Sequence, residues 1–97
     1  MDNDAEVLKA ANQAVVTIDL KYRASNFGDQ LKLKPERDKA FNTYSAARLK
    51  LLNEGVICTA DDVAEMKALR DEVKEAAKRQ SLLAGIVKVV GFLRKFV

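Results

Sequence analysis

The stretch VVTIDLKYR, residues 15–23, decides the fold, because two periods fit it at once. From Val16 to Arg23 apolar and polar residues alternate, as in a half-buried strand, and the β-branched run from Val15 to Ile18 also suits a strand. Extending the window towards the N-terminus changes the reading. Val7, Leu8, Ala11, Ala14, Val15, Ile18 and Tyr22 fall within about 120° of a helical wheel, leaving only Val16 and Leu20 on the far side. From Leu8 onward the steps alternate between three and four residues, the spacing of a helix–helix seam. Asp2, Asn3 and Asp4 offer N-caps and negative charge for the positive end of a helix dipole. The segment therefore reads as a helix over residues 4–24, and with that choice the whole chain becomes all-α.

The rest of the chain agrees. Four glycines and one proline in 97 residues are too few turn formers for an all-β fold. The stretch SNFGDQLKLKP, residues 25–35, interrupts the first periodic pattern, and Leu31–Leu33 reads as a short extended piece leading to Pro35. Proline suits the first turn of a helix, which sets the second helix at 35–54 with an apolar face of Ala40, Phe41, Tyr44, Ala47, Leu51 and Leu52. Gly55 is its expected left-handed cap, with Val56 or Ile57 folding back onto it. Thr59, with Asp61 and Asp62 in the first turn, opens a third helix at 60–79 whose stripe is Val63, Met66, Leu69, Val73, Ala76 and Ala77. The expected architecture is an antiparallel helical hairpin plus a third helix, followed by a C-terminal amphipathic helix. This amounts to a three- to four-helix bundle with a body at 1–79 and a tail at 80–97.

The tail, SLLAGIVKVVGFLRKFV from Ser81 to Val97, stands apart in charge. Residues 1–75 carry 12 basic and 14 acidic side chains, a net of −2, whereas residues 76–97 carry five basic side chains and no acid. It stands apart in phase as well. Its apolar stripe is rotated by about 140° from that of the third helix, so one rigid helix could not turn both stripes to one core. Either the helix breaks near Ser81 and the tail folds back, or it runs on and meets something else. Folded back, the tail would be the fourth helix of a small bundle and complete its core; otherwise its apolar residues Leu82, Leu83, Ile86, Val89, Val90, Phe92, Leu93 and Phe96 are candidates for docking on a protein partner or a membrane surface. Lys88, Arg94 and Lys95 would form the electrostatic edge, facing acids such as Glu65, Asp71, Glu72 and Glu75 on a neighbouring subunit. A bilayer-spanning role is disfavoured, because residues 82–97 as a helix reach only about 24 Å against a hydrocarbon core of about 30 Å.

Chemistry by side chains is sparsely supplied. Histidine is absent and Cys58 is the only cysteine, so the usual zinc, haem and Cys–His arrangements cannot be built, and no cofactor or metal is expected. Ser45, Ser81 and Cys58 have no imidazole to activate them. Arg37 and Arg48 project into the second helix's apolar face, where their stems are expected to lie along the rim of the core with the heads in water; a buried guanidinium would pair with Asp19 or Glu6, and the alternative is an anion pocket that Tyr44 joins. Lys21, Arg23, Lys32 and Lys34 surround the first loop, but no helix-turn-helix, zinc or RNP-like pattern accompanies them, which argues against specific nucleic-acid recognition. The N-terminus MDNDAEVLKAA is acidic where a secretion signal would be basic, which favours an intracellular or assembly-associated setting. The sequence thus points to a non-enzymatic structural or interaction protein. It would be a small helical subunit of an oligomer or larger assembly, such as a virion or secretion machine, partnering itself or another protein subunit. The alternative reading is a peripheral membrane protein whose tail inserts at the bilayer interface.

Overall fold

The computed structural model describes residues 2–55 and 57–97. Residues 15–23 are helical. Helix α1 runs unbroken over Asn3–Ala24, with Asp2 as N-cap accepting from the Ala5 N–H at 2.7 Å. Val7, Ala10, Ala11, Ala14, Val15 and Ile18 recur at helical spacing and are buried, while Val16 and Leu20, which belong to the alternating pattern, face water.

The second helix is longer than the sequence reading allowed. Helix α2 spans Phe27–Glu54, so Leu31–Leu33 is not extended and Pro35 lies inside a helix rather than at its start. Asn26 is the N-cap, its side-chain oxygen accepting from the Asp29 N–H at 2.9 Å. Two physical reasons let the helix run through Pro35. The N–H that proline lacks would have bonded the carbonyl of Leu31, a residue on the solvent side where water can take its place. Leu33 also stands seven and fourteen residues before Ala40 and Ala47, so extending the helix adds a fully buried leucine to the same stripe. The helix ends at Gly55, whose φ of +86° favours glycine and whose N–H donates to the Leu51 carbonyl at 3.2 Å. Val56 lies outside the described residues, and Ile57 is exposed.

Helix α3 covers Ala60–Glu75 and opens on a full capping box. The Thr59 hydroxyl accepts from the Asp62 N–H at 3.1 Å, and the Asp62 carboxylate accepts from the Thr59 N–H at 2.9 Å. It stops four residues short of the expected end, and the break falls at 76–78 rather than near Ser81. The side chain that marks this break comes from another helix, since Lys21 Nζ donates to the carbonyls of Lys74 at 2.6 Å and Ala76 at 2.7 Å. Helix α4 then runs Arg79–Leu93, followed by one 3₁₀ turn at Arg94–Phe96. The turn absorbs the phase jump between the two apolar stripes, so both face one core.

Long-range contacts give the directions. Asn3 and Asp4 meet residues 57 and 58, and Lys95 meets Asp62, so the start of α1, the end of α2, the start of α3 and the end of α4 share one end of the molecule. Lys21 on the α3 terminus, and Arg79 within 3.9 Å of Asp29, mark the opposite end. The bundle is therefore two antiparallel hairpins, α1–α2 and α3–α4, stacked with α1 along α3 and α2 along α4. Among the described residues α2 and α3 sit across the diagonal without close backbone approach, and α1 and α4 only graze. Three alanines on α1, Ala10, Ala11 and Ala14, let α3 lie close along it. Gly85 serves the same purpose between α3 and α4, since a Cβ there would stand 2.8 Å from Val73 Cγ1. The molecule measures 41 × 21 × 17 Å, and α2, about 42 Å long at 1.5 Å per residue, runs its full length.

Candidate functional site

The tail residues singled out by the sequence lie in the chain's own core. Leu82, Ile86, Val89, Val90, Phe92, Leu93 and Phe96 are buried, and Leu83 is partly buried against them. Phe92 and Phe96 pack edge to face with ring centroids 5.5 Å apart. The basic edge also finds acids on α3, but those of the same chain. Lys88 pairs with Glu72 at 3.1 Å, and Lys95 pairs with Asp62 at 2.9 Å while lying 4.5 Å from the Phe92 ring centroid. The Lys95 ammonium, followed by the Thr59 N–H, holds the Asp62 carboxyl below the usual carboxylate range. Arg94 remains exposed. While α4 is docked, its apolar stripe is out of reach of a partner.

Three of the four basic residues around the first loop are likewise engaged. Arg23 pairs with Asp19 at 2.9 Å, Lys34 pairs with Asp38 at 2.8 Å, and Lys21 holds the end of α3. Arg37 links the two acids, reaching Asp19 at 2.6 Å and Asp38 at 2.9 Å, with its guanidinium carbon 4.8 Å from the Phe41 ring centroid and 5.3 Å from that of Tyr22. Of the two acids expected for Arg37, Asp19 is the partner, and Glu6 lies near Lys67 instead. The hydrogen bond from Arg37, with Arg23 adding its charge, holds the Asp19 carboxyl below its ordinary range despite partial burial. This alternating row ties α1 to α2.

The alternative that gathers Arg37, Arg48 and Tyr44 around one anion pocket is not formed, because Arg37 is committed to the charged row. Arg48 and Tyr44 instead line a groove of about 550 Å³ between α1 and the C-terminal turns of α2, with Leu8, Asn12, Leu51 and Leu52. Asp2 and Asp4 close one end of that groove, and both have structural duties. Asp2 caps α1, whereas Asp4 is buried and accepts from the N–H groups of Ile57 at 3.0 Å and Cys58 at 2.8 Å. Asp4 thus pins the α2–α3 connection to α1, a long-range duty that its place in an N-cap triplet did not reveal. Cys58 is buried, and its thiol is pushed up to about 12, first by burial and then by the Asp4 carboxylate beside it. A thiol so poised is a core residue and a poor nucleophile. Among the described residues no group of three or more potential metal ligands converges, and no helix is long and apolar enough to cross a membrane.

The surface that the sequence reading missed is the outer face of α2. Phe27, Leu31, Leu49 and Leu52 are 74%, 61%, 62% and 60% exposed, and they fall within about 60° of the wheel, opposite the buried stripe of Leu33, Ala40, Ala47 and Leu51. The sequence pattern places Leu52 on the buried face, Phe27 in the interrupting stretch and Leu31 in a short extended piece. The available signal was Asn26 with Asp29 three residues on, which starts the helix early and brings Phe27 and Leu31 into phase with Leu49 and Leu52. Val16 and Leu20 make a further exposed pair on α1. Comparison with family models, curated proteins and solved structures finds no match to this chain.

Proposed function

We propose that this chain is a non-enzymatic interaction protein, a small helical subunit that assembles through the outer face of α2. One observation carries the reading: opposite its buried stripe, α2 exposes a pair of large apolar residues at each end. A surface helix of a lone bundle turns large apolar residues inward and polar ones outward. Here small residues, Ala40 and Ala47, occupy the middle of the core face, while a phenylalanine and three leucines face water. Single exposed leucines are ordinary on protein surfaces, but these come as helical neighbours, Phe27 with Leu31 and Leu49 with Leu52, and so make continuous patches. The absence of histidine and the inert thiol of Cys58 favour an interaction role over catalysis.

Light scattering across a concentration series tests this. Wild-type chain is expected to run above monomer mass and to return to monomer when Leu49→Glu puts a charge on the patch. A wild-type chain that stays monomeric at every concentration would refute self-assembly through this face.

A further inference from the structure

We infer that the partner for the outer face of α2 is the same helix of a second copy, packed antiparallel about a two-fold axis near residue 40. This deepens the assembly reading above and rests on it. A two-fold interface must be self-complementary, with residue i of one copy against residue j of the other and the reverse. The exposed apolar residues of α2 meet that demand by their numbering. When Leu31 of one copy faces Leu49 of the other, Phe27 comes against Leu52, and the same pair of contacts repeats at the other end of the helix. The result is two apolar clusters about 27 Å apart along the helix, each built from residues of both copies.

The polar middle of α2 selects the direction. A parallel pair would also bring Leu31 to Leu31 and Leu49 to Leu49, but it would set Lys34 against Lys34 and Asp38 against Asp38. The antiparallel pair places Lys34 opposite Ala46 and Asp38 opposite Asn42, so neither of these two outer-face residues meets its own charge. It also opposes the two helix dipoles. Lys34 and Asp38 keep their own 2.8 Å pair within each chain, and Arg37 supports Asp38 from the α1 side. The facing residues therefore need no new partner to enter the interface.

Engineered cysteines read the register directly. Full-length Leu31→Cys and Leu49→Cys chains, each keeping the buried Cys58, are mixed in equal amounts, oxidised with copper phenanthroline and mapped by mass spectrometry. The antiparallel pair gives a dominant 31-to-49 disulfide in the mixture, and at least a fivefold lower yield from either variant alone. Disulfides formed chiefly from 31 to 31 and from 49 to 49 would overturn the antiparallel pairing in favour of a parallel one. Oligomers seen by light scattering with none of these disulfides would also overturn the pairing while leaving assembly intact. A strictly monomeric chain would remove both this inference and the assembly reading.

Discussion

In the α3–α4 hairpin the large apolar side chains point inward: Val63, Met66 and Val73 from α3, and Leu82, Ile86, Val89, Val90, Phe92 and Leu93 from α4, with Val87 the large exposed residue of the pair. In the α1–α2 hairpin the core is built largely of alanine and valine, and Val16, Leu20, Phe27, Leu31, Leu49 and Leu52 stay in water. Both hairpins bury a stripe, but the α1–α2 hairpin keeps most of the large apolar side chains that stay outside. Mean hydropathy would have pointed the other way, because the tail is the most apolar part of the sequence and α2 carries ten charged residues among its 28. What matters is phase. Every large residue of the tail but Val87 and Val97 lies on an arc that α2 and α3 cover, whereas α2 holds two apolar arcs and the bundle covers one.

If that division is right, the largest effect should follow from removing the tail. A chain ending at Arg79 loses seven buried apolar residues, and circular dichroism with thermal melting should find no cooperative transition. Ile86→Ala leaves a cavity at a fully buried site and should cost about 2–5 kcal/mol in denaturant unfolding, whereas Leu31→Ala on the outer face of α2, measured as monomer, should stay within about 0.5 kcal/mol. The glycines of α4 sharpen the contrast further. Gly85→Ala forces a Cβ against Val73 and should cost about 1–3 kcal/mol, while Gly91→Ala meets nothing within 4 Å and should gain up to about 1 kcal/mol of helix propensity.

The smallest effect concerns pH and lies in the α1–α2 hairpin. The folded carboxyl of Asp19 titrates below its unfolded value, so its contribution is complete above the unfolded value near 3.8 and is lost as pH falls through the lower folded value. Asp19→Asn should therefore lower the melting temperature near neutral pH and flatten its fall over that acidic interval. An unchanged acid limb would show that Arg23 and Arg37 do not hold this carboxylate in solution.

Much of the fold could be read from sequence wherever a local cap and a long stripe agreed. The capping box at Thr59, the glycine stop at Gly55 and the helix through residues 15–23 are of that kind. The boundary at Pro35 misled because proline is a strong local signal, and what outweighed it was tertiary: the burial of Leu33 in phase with Ala40. The turn at 76–78 was equally hidden, since its carbonyls are capped by Lys21 from a helix more than fifty residues earlier. The tail's stripe was legible as a surface that must be covered, but the sequence left open whether its own chain, a partner or a membrane covers it. The outer face of α2 escaped notice for the converse reason, as half of it was hidden in an apparent loop.

The apolar surface proposed for a partner belongs to α2 and not to the tail. Light scattering on two single variants, Leu31→Glu on α2 and Val87→Glu on the exposed edge of α4, tests it most directly, because both sites are more than half exposed and both chains should fold. Leu31→Glu is expected to become monomeric while Val87→Glu keeps the wild-type mass. Dissociation by Val87→Glu with Leu31→Glu still assembled would contradict it and return the docking surface to the tail.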